Sequence, residues 1–284
     1  MRANNYFRDN LLQLLSSESK HKARAKWEDS TEATKTSIYQ VFEKYSRNEL
    51  PIHTYRDTAI KSAIQEMLWI YKDQTSGLEA AHKRGIYWWD EFNVHSGDFK
   101  GIGEAYGNVV RGYKLIDNLL DSLKNKPFSQ RHIMSLWQES SNRLQDLRGG
   151  LVPCAFLTQY TIVKQGSKRL VNMHLQIRSS DYITAGAINR IQYYCLGLMI
   201  CGHLTYVTGL EHILNDFSVF TMDLHVYDRH KFAINELLEN KPLNESYKIA
   251  LKGIKNFYDY DIEDFEILKP KGLHKLSKKL ELAV

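Results

Sequence analysis

The chain has little of what marks a secreted, membrane-bound or nucleic-acid-tracking protein. It holds three cysteines in 284 residues, an odd number with no C-x-x-C spacing. That excludes a disulfide framework and a cysteine zinc site, leaves at least one thiol free, and points to a reducing, cytoplasmic setting. The longest apolar run, around Ile191 to Ile200, is broken by Gln192 and Gly197, and the first twenty residues lack a continuous apolar segment. Neither a membrane span nor a secretory leader is expected, so the protein should be soluble. Five prolines and no Pro/Gly/Ser-rich linker give no boundary between folding units, so residues 1–284 read as a single domain. Subtracting 33 acidic from 38 basic side chains leaves +5, which suits a small anionic ligand but is thin for a protein that follows DNA. The eleven histidines show no H-E-x-x-H or related spacing, so no metal is expected. Gly101-Ile102-Gly103 is followed three residues on by Tyr106, which breaks a dinucleotide-binding fingerprint.

What the chain does have is a 43% hydrophobic content with 12% aromatics, enough for a substantial core. Phe7, Leu11, Leu12, Leu14 and Leu15 outline an opening helix, followed by an exposed, charged stretch from Ser16 to Lys26. A helix that is apolar around most of its circumference follows Asp57, a plausible N-cap, and runs to Tyr71. Lys114 to Lys124 is amphipathic and stops before Pro127; further helices are expected over 188–207 and 228–240. Strand signals lie at His132 to Trp137 and Ala155 to Lys164, with Gln165-Gly166-Ser167-Lys168 as a turn. The next strand alternates Val171, Met173, Leu175 and Ile177 with Asn172, His174, Gln176 and Arg178. A half-buried sheet with a polar face and helical cover is an α+β arrangement.

Several residues stand out chemically. Cys195 and Cys201 lie in an apolar helical run and read as core thiols. Cys154 follows Pro153 at the head of a strand, where Arg178 is a possible cationic partner, so it reads either as a nucleophile or as an ordinary buried thiol. Glu66 falls on the apolar face formed by Ala59, Ala63 and Ile70, as a proton relay or as a paired structural acid. Tyr87-Trp88-Trp89 is core packing or a stacking platform for a flat heterocycle. His225 and Tyr227, two apart in an extended segment, share one face and could both hydrogen-bond one ligand or cap buried backbone.

Taken in order, the segments resemble the thymidylate synthase family over nearly the whole chain. LPIHTYRDTAIKSAIQEMLWI is similar to the family's "fPl.T.k......E.LW" helix, IYWWDEF to "IWdeW", GEAYGNVVR to "G..YG.qwR" and PFSQRHIMSLW to "P.SRR.i...W". VPCAFLTQY resembles the strand that holds the nucleophile, LQIRSSDYITAGAIN the "QRS.D..LG.PfN" segment and TMDLHVYDRH "D.H.Y..H"; FYDYDIEDFEIL and LELAV match the closing tail. The resemblance implies the family fold, a large twisted mixed sheet covered by helices and a homodimer packed through its sheets.

It also implies roles. Cys154 adds to C6 of the uracil of dUMP, and methylene-tetrahydrofolate serves as carbon and hydride donor, giving dTMP and dihydrofolate. Glu66 organises proton transfers, with Tyr106 and Asp181 in the catalytic set. Arg178 and Ser179 bind the phosphate, with Arg24 from the same chain and Arg131 across the dimer. Asn189 reads the uracil edge, and His225 with Tyr227 holds the ribose hydroxyl. Trp89, Asp181 and Val284 contact the folate. The chain departs from the family pattern at Gln130, where an arginine is lost, and at Ile177, Ala155, Phe92 and Ala185, the last in place of a glycine. These departures leave two rival expectations. One is a dUMP hydroxymethylase, in which water quenches the same intermediate. The other is a catalytically dead nucleotide- or RNA-binding relative.

Overall fold

The computed structural model describes residues 1–94, 100–147 and 150–283; Val284, expected on the folate side, lies outside the described residues. Its centre is a six-stranded mixed sheet in the order β1-β2-β6-β5-β4-β3. The strands are β1 (Lys20–Lys26), β2 (Glu32–Tyr45), β3 (His132–Ser135), β4 (Ala155–Gln165), β5 (Lys168–Asp181) and β6 (His212–Tyr227). β4 and β5 form the antiparallel hairpin expected from the Gly166 turn, whereas β5 and β6 run parallel. Parallel neighbours need a crossover, and α7 (Gly186–Thr208) supplies it.

α7 is apolar around its circumference and buried at Ile191, Cys195, Leu196, Met199, Ile200 and Leu204. It lies against the sheet face made by Val171, Met173, Leu175 and Ile177, all buried. Each such aliphatic side chain contributes about 1.5–3 kcal/mol by leaving water. Close approach depends on Gly197, where an added Cβ would stand 3.1 Å from Leu214 and from the Met173 sulfur. On α7's outer side packs α2 (Ile60–Tyr71), with Ala63, Ile64, Met67, Leu68 and Trp69 fully enclosed. α1 (Arg2–Ser16) and α8 (Lys231–Glu239) cover the other end of the sheet in a second apolar cluster with Leu224 and Val226.

The expected amphipathic helix is α5 (Leu115–Asn125), after the short α3 (Leu78–Lys83) and α4 (Gly107–Gly112) and before α6 (Glu139–Leu147). A small hairpin of β7 (Lys248–Leu251) and β8 (Phe265–Leu268) closes the chain. One local expectation is corrected. Asp57 is not the N-cap of α2: the helix starts after Ala59 without a side-chain cap, and Asp57 is instead ion-paired with Lys269. The burial of α2 on nearly all sides replaces the cap as its source of stability.

The start of α7 is fixed by a buried polar network. Glu43 on β2 accepts from Arg190 Nε at 2.6 Å and Nη2 at 2.9 Å, from Tyr45 at 2.7 Å and from Asn10 at 3.2 Å. Arg190 also donates to the Gly186 carbonyl at 2.9 Å. Charge and hydrogen bonds to Glu43 outweigh burial and push the arginine's pKa up. A bidentate, saturated pair of this kind is the geometry in which buried charge is tolerated.

Candidate active site

Cys154 sits at the loop-to-β4 junction, partly buried. Its backbone N–H donates to the Tyr106 hydroxyl at 3.2 Å and its carbonyl accepts from Arg178 N–H at 2.9 Å. The Arg178 side chain wraps the same loop: Nε donates to the Pro153 carbonyl at 2.9 Å, and Nη2 to the Val152 carbonyl at 2.9 Å and to Cys154 Sγ at 3.5 Å. Burial pushes the thiol's pKa up, while the positive charges of Arg178 and Lys35 pull it back without cancelling the rise. A guanidinium beside a thiol stabilises the thiolate where it forms. Tyr106 holds φ at +46°, a region that non-glycine residues rarely occupy. Such strain is kept where surrounding contacts over-determine it; here they are the hydroxyl bond to Cys154 and ring packing on Trp89 at 5.4 Å.

One side of the site is a wall built around a buried carboxyl. Glu66, in the middle of α2, is 5% exposed. Burial raises its pKa to about 7, against the opposing pull of the nearby Gln192, Trp88 and Trp89 donors. The Trp88 indole donates to Glu66 Oε2 at 2.8 Å, while the buried Trp89 Nε1 and Gln192 Nε2 have no hydrogen-bond partner. A carboxyl half-ionised near neutral pH, next to unfilled donors, is suited to passing protons. Tyr193, one turn beyond Asn189 on α7, donates to the Ala155 carbonyl at 3.0 Å and accepts from Tyr71 at 2.7 Å, tying the helix to the cysteine's strand.

The other side is polar and ionic. Asp223 and His225 on β6 are joined Oδ1 to Nδ1 at 3.0 Å, and His225 packs edge-on to Tyr227 at 5.2 Å. Asp181 closes β5 opposite His225 and accepts from the Ile183 backbone at 3.2 Å. Burial pushes the Asp181 carboxyl up, but His230, Thr184 and His225 outweigh it and hold it below its usual range. Ser179 pairs across to Asp223. Asn189 is partly buried in the first turn of α7.

The structure therefore gathers Cys154, Arg178, Tyr106, Glu66, Asp181, His225 and Tyr227 into one neighbourhood, with Ser179 and Asn189 on the elements that border it. Arg24 is exposed on the edge strand β1, and Arg131 is exposed ahead of β3 at the opposite edge. The cations felt by Cys154 are Arg178 and Lys35. Trp89 is placed against Trp69, Phe92 and Tyr106. Its neighbour Trp88, unassigned from sequence, makes the bond to Glu66. Lys35, Gln192 and Tyr193 were also missed; Gln192 and Tyr193 follow Asn189 by three and four residues, a helical spacing that would have found them. At Ala185 the backbone is right-handed, φ −104°, so alanine is unstrained there. The close approach falls one residue later, at Gly186, whose added Cβ would lie 2.7 Å from the Tyr182 ring. Among the described residues no cluster of metal-ligating side chains occurs, and no helix is long and apolar enough to cross a membrane.

Comparison with known proteins agrees with this fold. The family model described as thymidylate synthase matches residues 5–281. A thymidylate synthase of Streptococcus pneumoniae (strain 70585) is 35% identical over 273 residues, covering 94% of each chain. That of Streptococcus thermophilus (strain ATCC BAA-491 / LMD-9) is 33% identical over 278 residues, again covering 94% of each. The solved thermostable thymidylate synthase A from Bacillus subtilis superposes with a TM-score of 0.82 at 27% identity, covering 99% of both chains. With the family model, the relatives and the fold agreeing over nearly the whole length, the chain belongs to the thymidylate synthase family.

Proposed function

We propose that the protein is a thymidylate synthase, converting dUMP to dTMP. The single observation that carries the reading is the pairing of a cation-flanked thiol, Cys154, with a carboxyl of pKa about 7, Glu66. Cys154 Sγ attacks C6 of the uracil, and the electron pair of the C5–C6 double bond moves to make C5 nucleophilic. Methylene-tetrahydrofolate supplies the one-carbon unit and the hydride. Glu66 relays protons to and from the ring, held by Trp88 at 2.8 Å. Asn189 offers one donor and one acceptor, the complement of O4 and N3–H of uracil. Arg178 and Ser179 take the phosphate, and His225 with Tyr227 takes the ribose hydroxyl.

The residues also fit a folate. The Asp181 carboxylate suits the N–H edge of an aminopyrimidine, and the buried, unpartnered Arg56 Nε suits an anionic tail. Tyr106 and Asp181 complete the catalytic set, and Trp89 excludes water beside it.

The protein acts as a homodimer in this reading. The sheet face carrying Phe42, Phe220, His174 and Gln176 stays part-exposed, with Phe42 at 54%, and a second copy packed on it would bury that ring. Exposed Arg131 would then complete the partner's phosphate site, with Arg24 a further cation at the rim. Mixing Cys154→Ser with Arg131→Ala subunits tests this: restored activity in the mixture is expected, and none overturns site sharing. The reaction is tested by product analysis with dUMP and methylene-tetrahydrofolate. dTMP with dihydrofolate is expected; hydroxymethyl-dUMP with tetrahydrofolate would overturn it.

A further inference from the structure

Lys35 on β2 has so far entered only as a positive charge felt by Cys154. Its ammonium lies 2.6 Å from Asp223 Oδ2, with both side chains about one-fifth exposed. The other oxygen of Asp223 stands 3.0 Å from His225 Nδ1. The three groups form one chain across adjacent strands: β2 pairs with β6, with Lys35 opposite Tyr227 and Ser37 opposite His225.

We propose that Lys35 is a positioning residue of the nucleotide site, fixing the Asp223 carboxylate so that His225 presents Nε2 as a hydrogen-bond acceptor to the 3′-hydroxyl of a deoxynucleotide. An ionised carboxylate only accepts hydrogen bonds, so the shared proton belongs to His225 Nδ1. Burial pushes the Asp223 carboxyl up, but the hydrogen bonds from His225 and Lys35 and the positive charge of Lys35 outweigh it and hold the carboxyl far below its ordinary range. In a neutral imidazole whose Nδ1 donates, Nε2 is an acceptor. The other groups around the ring do not compete for Nδ1. Asp181 lies opposite on β5 and bonds to the Ile183 and Thr184 amides, Ser37 is uncharged, and Tyr227 packs edge-on. Lys35 thus orients a recognising group without itself touching the sugar, in the manner of a carboxylate that sets the tautomer of a working histidine.

This inference rests on the reading that His225 holds the ribose hydroxyl, and the test separates the two. KM is measured for dUMP and for 2′,3′-dideoxyuridine monophosphate, which lacks the donor, in the wild type, Lys35→Met and Lys35→Arg. The wild type should favour dUMP by about tenfold, the worth of one hydrogen bond. Lys35→Met should bring the two substrates within a factor of about two, chiefly through KM, and Lys35→Arg should restore the difference. In parallel, 15N NMR of the free protein should show His225 with Nδ1 protonated in the wild type and a mixture of tautomers in Lys35→Met and Asp223→Asn. Discrimination or tautomer unchanged in Lys35→Met overturns the proposal. A wild type that does not distinguish the two nucleotides overturns the ribose role of His225 instead, while the NMR result still reports on the Lys35–Asp223–His225 chain.

Discussion

Glu43 and Glu66 are both glutamates enclosed by this fold, at 0% and 5% exposure, and the chain treats them in opposite ways. Glu43 receives donors on both oxygens from Arg190, Tyr45 and Asn10. Glu66 has one bond below 3 Å, from Trp88, no cation among the causes of its pKa, and a proton affinity raised by burial. Saturation makes a carboxylate a structural rivet; under-satisfaction makes it a titrating group near neutral pH. The difference shows that burial alone does not assign a function to a buried acid. The number and charge of its donors do.

The comparison can be broken most severely at the rivet. Glu43→Ala leaves Arg190 charged and buried, and should cost about 3–5 kcal/mol in denaturant unfolding. Replacing both partners by leucine should cost much less, because no orphaned charge remains; a double variant as unstable as the single one would show that the pair itself supplies stability.

At Glu66 the expectation reverses. Its carboxyl titrates from 4.5 unfolded to about 7 folded, so the folded state binds the proton more tightly. The associated stability is complete below pH 4.5 and is lost as pH rises through 7. At about 1.4 kcal/mol per pKa unit this amounts to roughly 3 kcal/mol by pH 8. Glu66→Gln should therefore gain thermal stability relative to wild type between pH 5 and pH 8, while turnover falls on the order of 10²- to 10⁴-fold. A constant Tm difference across that range would remove the case for a titrating Glu66.

Smaller effects sharpen the picture. Trp88→Phe removes a hydrogen bond to the carboxylate, so the Glu66 pKa should rise further and the limb of the activity profile that it governs should move to higher pH by about one unit. Trp89→Phe, which removes an indole N–H with no hydrogen-bond partner, should move that limb less. Equal shifts would mean that both indoles act on Glu66.

Much of this was legible in the sequence. Strict alternation from Val171 to Ile177 gave β5 and its buried face, and the apolar circumference of 60–71 gave a helix with Glu66 inside it. Motif order named Cys154, Arg178, His225 and Tyr227, which the fold brings close together, and Asn189, which borders them. What stayed hidden is instructive. The charged stretch from Ser16 to Lys26 is exposed as expected on β1, but β2 gave no sequence signal, because the ionic partners of Lys35 and Glu43 lie about 150 to 190 positions away. Adjacent tryptophans could not be told apart, since a turn decides which indole reaches Glu66. Asp57 offered a good cap, but tertiary burial made the cap unnecessary and a distant lysine claimed the carboxylate. Each failure concerns a long-range partner, which local pattern does not encode.

One turn of α7 carries Asn189, Arg190, Gln192 and Tyr193: the proposed reader of the pyrimidine, the rivet to β2, a neighbour of the proton relay and the tie to the cysteine's strand. Fidelity and integrity are therefore wired in series through about five ångströms of helix. A lesion that loosens the Arg190 anchor should show itself first as confusion between uracil and cytosine, with the fold still intact, so base selectivity becomes the most sensitive gauge of this protein's health.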